Sequence, residues 1–226
     1  MTVNHPMRRQ RRHCLLMAAA ACGLAGPLSA QAQIDKFREA LGGLGSALGG
    51  LGSGRSGQSD NIVRTYIAAD REVLRANGDM AEALGLKDAA ALARATADAL
   101  GDAATVDGLK EADKVVTDSS QLIQQELDKA PQLDEAAKQM FAAGLVKLVR
   151  GVIEYRSLRK SVQRMADGAS AFSVLQGGGL GTMAYIGSNL PSGLTHLGTA
   201  LQNTVAFAQN NDIPVPADAT QALAAL

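Results

Sequence analysis

The stretch Phe141-Ala-Ala-Gly-Leu145-Val-Lys-Leu148-Val-Arg-Gly-Val152-Ile-Glu-Tyr155-Arg-Ser-Leu-Arg159-Lys-Ser-Val162-Gln-Arg-Met-Ala166 decides how this chain is read. Its large apolar residues return at alternating steps of three and four, the interval that keeps side chains on one face of a helix. No Pro interrupts the pattern, so it predicts one long helix over residues 133–166. One position breaks the seam. Arg159 stands where the spacing calls for an apolar side chain, and an unpaired buried guanidinium is costly. It must snorkel outward, meet a carboxylate, or bind an anion. Asp70 lies between Ile67 and Leu74 on the apolar side of its own segment, which makes Arg159 and Asp70 the candidate buried ion pair or anion contact.

The same periodicity extends upstream. Asp60 or Asn61 can cap a helix carrying Ile62, Val63, Tyr66, Ile67, Val73 and Leu74, with Asn77-Gly78 as its stop signal. Leu86, Ala90, Ala93, Ala97 and Leu100 mark a second helix whose Ala-rich seam lets a neighbour come close. A third, over residues 107–129, turns Leu109, Ala112, Val116, Ile123 and Leu127 inward and ends before Pro131. Downstream, residues 168–211 contain no Asp, Glu, Lys or Arg. Gly177-Gly-Gly-Leu-Gly181 and Pro191 punctuate that stretch, and Leu194, Leu197, Leu201, Val205 and Ala208 predict a last helix. Its many Ser, Thr, Asn and Gln residues favour an inner element of a bundle over a membrane span, which needs ~20 mainly apolar residues. No segment sustains the alternation of a strand. The expected fold is all-α, an antiparallel bundle of about four to six helices over residues 60–213, followed by a Pro/Ala-rich tail at 214–226.

The N-terminal quarter differs. Arg8, Arg9, Arg11 and Arg12 precede an apolar run from Cys14 to Ala25, and Ala30-Gln-Ala32 supplies small residues for cleavage. That order is the order of a secretory signal peptide over residues 1–32. Cleavage there would remove four Arg and no acid, taking a chain of balanced charge to a net −4. The alternative is lipidation at Cys22, although Ala19 stands where a lipoprotein signal usually carries a large aliphatic residue. Residues 33–59 form a Gly/Leu-rich leader in which Ala40-Leu-Gly-Gly-Leu-Gly-Ser46 recurs unchanged as Ala47-Leu-Gly-Gly-Leu-Gly-Ser53. Leu41, Leu44, Leu48 and Leu51 lie on a heptad seam and are a candidate docking stripe. Glycine costs ~1 kcal/mol of helix propensity per residue, so the leader reads first as a flexible linker.

Composition excludes several chemistries. His196 is the only imidazole outside the signal segment and no carboxylate neighbours it in sequence, which argues against a Ser-His-Asp triad. Cys14 and Cys22 are the only thiols, too few for a disulfide scaffold or a zinc site. The Gly177–Gly181 cluster lacks the Lys-Ser/Thr of a phosphate loop. Lys+Arg and Asp+Glu are 22 each, which offers no basic track for nucleic acid. The basic residues from Lys147 to Arg164 read instead as partners for the acidic helices between Asp79 and Glu135. The sequence therefore points to a periplasmic or secreted protein, non-catalytic, with no metal or cofactor. It would bind another protein, itself or an envelope component through helices. The alternative is a membrane-active helical protein that uses the leader and the uncharged stretch, and anchorage through Cys22 would make it an envelope lipoprotein.

Overall fold

The computed structural model describes residues 56–101, 104–168 and 180–224, and they form six helices: α1 (Ser56–Ala83), α2 (Lys87–Ala99), α3 (Val106–Leu127), α4 (Glu135–Gly168), α5 (Leu180–Asn210) and α6 (Asp218–Leu223). Among the described residues there is no strand. The signal segment with Cys22, and the stripe of Leu41, Leu44, Leu48 and Leu51, lie outside them.

Helix α1 is the axis of the bundle and touches α2, α3, α4 and α5. Its partnership with α4 is the most extensive, and missing side chains allow it. A Cβ on Gly144 would sit 2.9 Å from the Ala76 carbonyl oxygen, and one on Gly151 would sit 2.7 Å from Val73 Cγ2. The pairing of Gly144 with Ala76 and Met80, and of Gly151 with Ala69 and Val73, sets the two helices antiparallel. Leu158, seven residues beyond Gly151, is buried on the same line. On the other side of the core Phe141 of α4 meets Phe207 of α5 with centroids 5.3 Å apart.

Local signals fix the helix ends. Thr105 Oγ1 accepts from the Gly108 amide at 3.0 Å and caps α3. Asp134 Oδ1 accepts from the Ala137 amide at 2.8 Å and caps α4. Helix α1 closes on Gly85, whose φ of +79° lets the Leu86 amide reach back to the Ala81 carbonyl at 2.8 Å.

Two stop signals are overrun. Helix α1 continues through Asn77-Gly78 because the Asn77 amide is buried and donates to Ser119 Oγ at 2.8 Å and Ser120 Oγ at 3.0 Å on α3. Gly78 leaves room beneath the Arg94 side chain, which bonds Asp79 and Glu82. Asp79 also receives Lys147 of α4, so one of the basic residues on the long helix does meet the acidic segment. Helix α5 continues through Pro191, which is exposed, as is Gly187 four residues earlier. The carbonyl deprived of its amide partner therefore lies on the water side, where the loss is least costly.

The uncharged helix α5 is neither fully interior nor a membrane span. Met183, Ile186, Leu190, Leu194, Leu197 and Leu201 are buried, while Ser188, Ser192, Thr195, His196, Thr199 and Gln202 are exposed. No described helix is long and apolar enough to cross a membrane. The segment after Pro214, read as a tail, carries α6, whose fully buried Ala219 and Ala222 join the bundle. That short helix packs on α4 and α5.

Candidate functional site

The chain has 3 Tyr, and all of them converge on two carboxylates. Asp70 comes from α1, where the helical period places it between Ile67 and Leu74 and gives it no exposed surface. Tyr155 of α4 donates its hydroxyl to Asp70 Oδ1. Asp113 comes from α3, four residues after Leu109 and three before Val116, on the face that looks into the bundle. Tyr66 of α1 donates to Asp113 Oδ1 at 2.9 Å and Oδ2 at 2.8 Å, and Tyr185 of α5 donates to Oδ2. Tyr66 and Tyr155 also pack edge to face with centroids 5.3 Å apart. Four helices are thereby joined at one polar node.

Burial shifts both carboxyl groups toward the protonated form. Burial, and then the negative charge of Asp113, push Asp70 well above the ordinary carboxylate range, and the Tyr155 hydrogen bond only partly opposes this. Asp113 is also raised by burial, against the hydroxyls of Tyr185 and Tyr66 and the adjoining Asp70. Asp70 Oδ2 is buried and has no hydrogen-bond partner among the described residues. Burial, followed by the nearby carboxylates, raises the phenols of Tyr66 and Tyr155. No ion pair reaches either Asp among the described residues.

Asp113 lies at one end of a groove of about 380 Å³ between α3 and α5. Tyr66 and Tyr155 contribute its floor from α1 and α4. Its lining surface is mainly apolar, with Val116 on α3 and Leu197 and Ala200 on α5, interspersed with the hydroxyl and amide side chains of Thr117, Ser120, Gln124, Asn189, Ser192 and Asn203. The gap exists because the facing residues are small. A Cβ added at Gly193, which lines the groove, would meet nothing within 4 Å. Hydrogen bonds span both ends: Tyr185 to Asp113 at one, and Asn203 Nδ2 to Gln124 Oε1 at 2.6 Å at the other. From Asn189 to Asn203 the groove follows α5 for about 20 Å at 1.5 Å per residue. His196 lines it from an exposed position.

The expected pairing of Arg159 with Asp70 is replaced. Arg159 is exposed, and its neighbour Leu158 is buried instead. The spacing argument counted only large apolar side chains on α4 and so overlooked the line through Gly144, Gly151 and Leu158 that follows α1. Including the glycines shifts the buried stripe away from Arg159. Asp70 is buried as anticipated, but its partner is the Tyr155 hydroxyl on Oδ1, not a guanidinium. Sequence reasoning missed Asp113 and the tyrosines as a set. The available signal was an acid on the apolar face of a second helix, in a chain whose few tyrosines all lie on apolar faces.

No protein-family model matches the chain, and comparisons with curated proteins and with solved structures returned no similar protein.

Proposed function

We propose that this chain is a non-catalytic binding protein, exported to the periplasm or secreted, that holds an envelope component in the groove between α3 and α5. The groove carries the reading. Its volume falls in the 300–1,000 Å³ range typical of ligand sites, and two facing helices line it with a mainly apolar surface carrying a few polar side chains. The N-terminal order of arginines, apolar run and small-residue site supports export. The carboxyl pair supports binding over catalysis. Asp70 has no exposed surface, and both oxygens of Asp113 already accept tyrosine hydroxyls. Neither carboxyl is therefore free to activate a water in the groove.

The test is a backbone-amide NMR screen of the mature protein against small sugars, amines and short peptides. A hit should perturb residues 113–124 and 189–203 together. Gly193→Met, which places a side chain in open space, should abolish the perturbation, while Gln209→Met on the exposed side of α5 should leave it intact. Perturbations that scatter over the surface, or that ignore Gly193→Met, would refute the assignment.

A further inference from the structure

The geometry points to a small organic cation as the ligand, a hydroxylated primary or quaternary ammonium compound seated against Asp113. This rests on the groove being the binding site and adds the chemistry of its occupant. Charge is the first determinant. Among the described residues Asp113 is the only acidic side chain lining the groove, and none of those lining it is Lys or Arg. The nearest basic residues on the same helix are engaged elsewhere: Lys110 pairs with Asp107 at 3.2 Å, and Lys114 pairs with Asp118. Helix α5, the opposite wall, has no charged side chain along its whole length. Among the described residues no Lys or Arg faces Asp113 across the cavity, and His196 is the one basic side chain on its lining. A charge facing a concave, low-dielectric space attracts its counter-ion more strongly than the same charge on an open surface.

Second, the donors around Asp113 fix its shape without neutralising it. Tyr66 and Tyr185 hold both carboxylate oxygens, so the anion is ordered before any ligand arrives. A cation needs no further lone pair from Asp113, since it gains from the field of the carboxylate. Third, the walls define the rest of the molecule. Ser120, Gln124, Asn189, Ser192 and Asn203 supply hydroxyl and amide groups beyond the charged end, suited to alcohol or amide groups on the ligand and wasted on a bare hydrocarbon.

Isothermal titration of the mature protein tests this with matched pairs: choline against 3,3-dimethyl-1-butanol, ethanolamine against ethylene glycol, and glucosamine against glucose. The charged member of at least one pair should bind at least about tenfold more tightly, the low end for losing a charge-assisted partner. Asp113→Asn should abolish that preference, because it removes the acidic side chain that lines the groove. Asp70→Asn, which leaves the charge on Asp113, should retain it. Because the isostere comparison uses the native chain, a failure of Asp113→Asn to fold leaves the test standing. Neutral members binding as well as charged ones, with Gly193→Met blocking both, would overturn the cation and keep the groove. Absence of binding by every charged probe at millimolar concentration would also overturn the cation. Binding that survives Gly193→Met would overturn the groove itself.

Discussion

Alanine substitutions at two mid-helix glycines should move stability in opposite directions. In either helix interior, replacing Gly by Ala gains ~1 kcal/mol of helix propensity. At Gly193 the new methyl meets nothing within 4 Å, so Gly193→Ala keeps the whole gain. At Gly144 the methyl would lie 2.9 Å from the Ala76 carbonyl oxygen and 2.7 Å from Met80 Cγ. Met80 can swing aside, but the backbone oxygen cannot. Bringing that contact to an ordinary 3.4 Å requires α1 and α4 to separate by about 0.5 Å. A gap of that order forfeits about a quarter of the dispersion energy of each contact it opens. Over-packing of this kind costs about 1–3 kcal/mol, and the most extensive helix pair in the bundle belongs near the upper end. The net expectation for Gly144→Ala is a loss of ~2 kcal/mol, against a gain of ~1 kcal/mol for Gly193→Ala. For a chain of this size the two midpoints should differ by roughly 5–10 °C. Thermal melts followed by far-ultraviolet circular dichroism measure it. A Gly144→Ala midpoint equal to or above that of Gly193→Ala would show that the missing side chain does not set the α1–α4 spacing.

Other expectations concern the acids, Arg159 and the N-terminus. Asp70 holds its proton in the folded state above the ordinary value of 3.8, so its contribution to stability is fully present at low pH and declines as pH rises through the raised native value. Urea titrations from pH 4 to pH 8 should show Asp70→Asn more stable than the native chain at neutral pH, with the difference vanishing toward pH 4; a variant weaker at every pH would contradict the upward shift of Asp70. Arg159→Met should change stability by less than about 0.5 kcal/mol and add simply to Asp70→Asn in a double-mutant cycle, because Arg159 is exposed and Asp70 is bonded by Tyr155. A coupling above ~1 kcal/mol would restore the ion pair. Mass spectrometry of the exported protein should find its first residue to be Gln33, whereas a lipidated terminus at Cys22 would place it on a membrane leaflet.

Much of the fold can be read from the chain because helical periodicity is a local property. The Ala seam of α2 is buried at Ala90, Ala93 and Ala97, and α3 and α4 begin within about two residues of their expected starts. The errors lie where tertiary partners override local signals. Asn77 ends helices when its side chain turns back to its own backbone, but here it finds Ser119 and Ser120 on another helix. Pro191 breaks a helix when the freed carbonyl is buried, and here it faces water. Glycine carries no hydrophobicity, so a seam counted in large apolar residues cannot register the close approach of Gly144 to Ala76 and of Gly151 to Val73. The site was less legible still. Asp70 and Asp113 are 43 positions apart, and only the docking of α3 beside α1 makes them a pair.

Gathering every tyrosine at one node gives the protein a label of its own. With 3 Tyr and no Trp in the chain, its phenol emission and most of its near-ultraviolet absorbance originate within a few ångströms of Asp70 and Asp113. A spectral change on adding a ligand would therefore be local by construction, with no dye or isotope needed to assign it. Alkali should be equally informative. Burial raises all three phenols, first by desolvation and then through the carboxylates they bond or adjoin. Phenolate absorbance should therefore stay suppressed above the usual tyrosine range while the bundle is closed, and rise abruptly when it opens. A gradual rise near pH 10 would place the phenols in water instead.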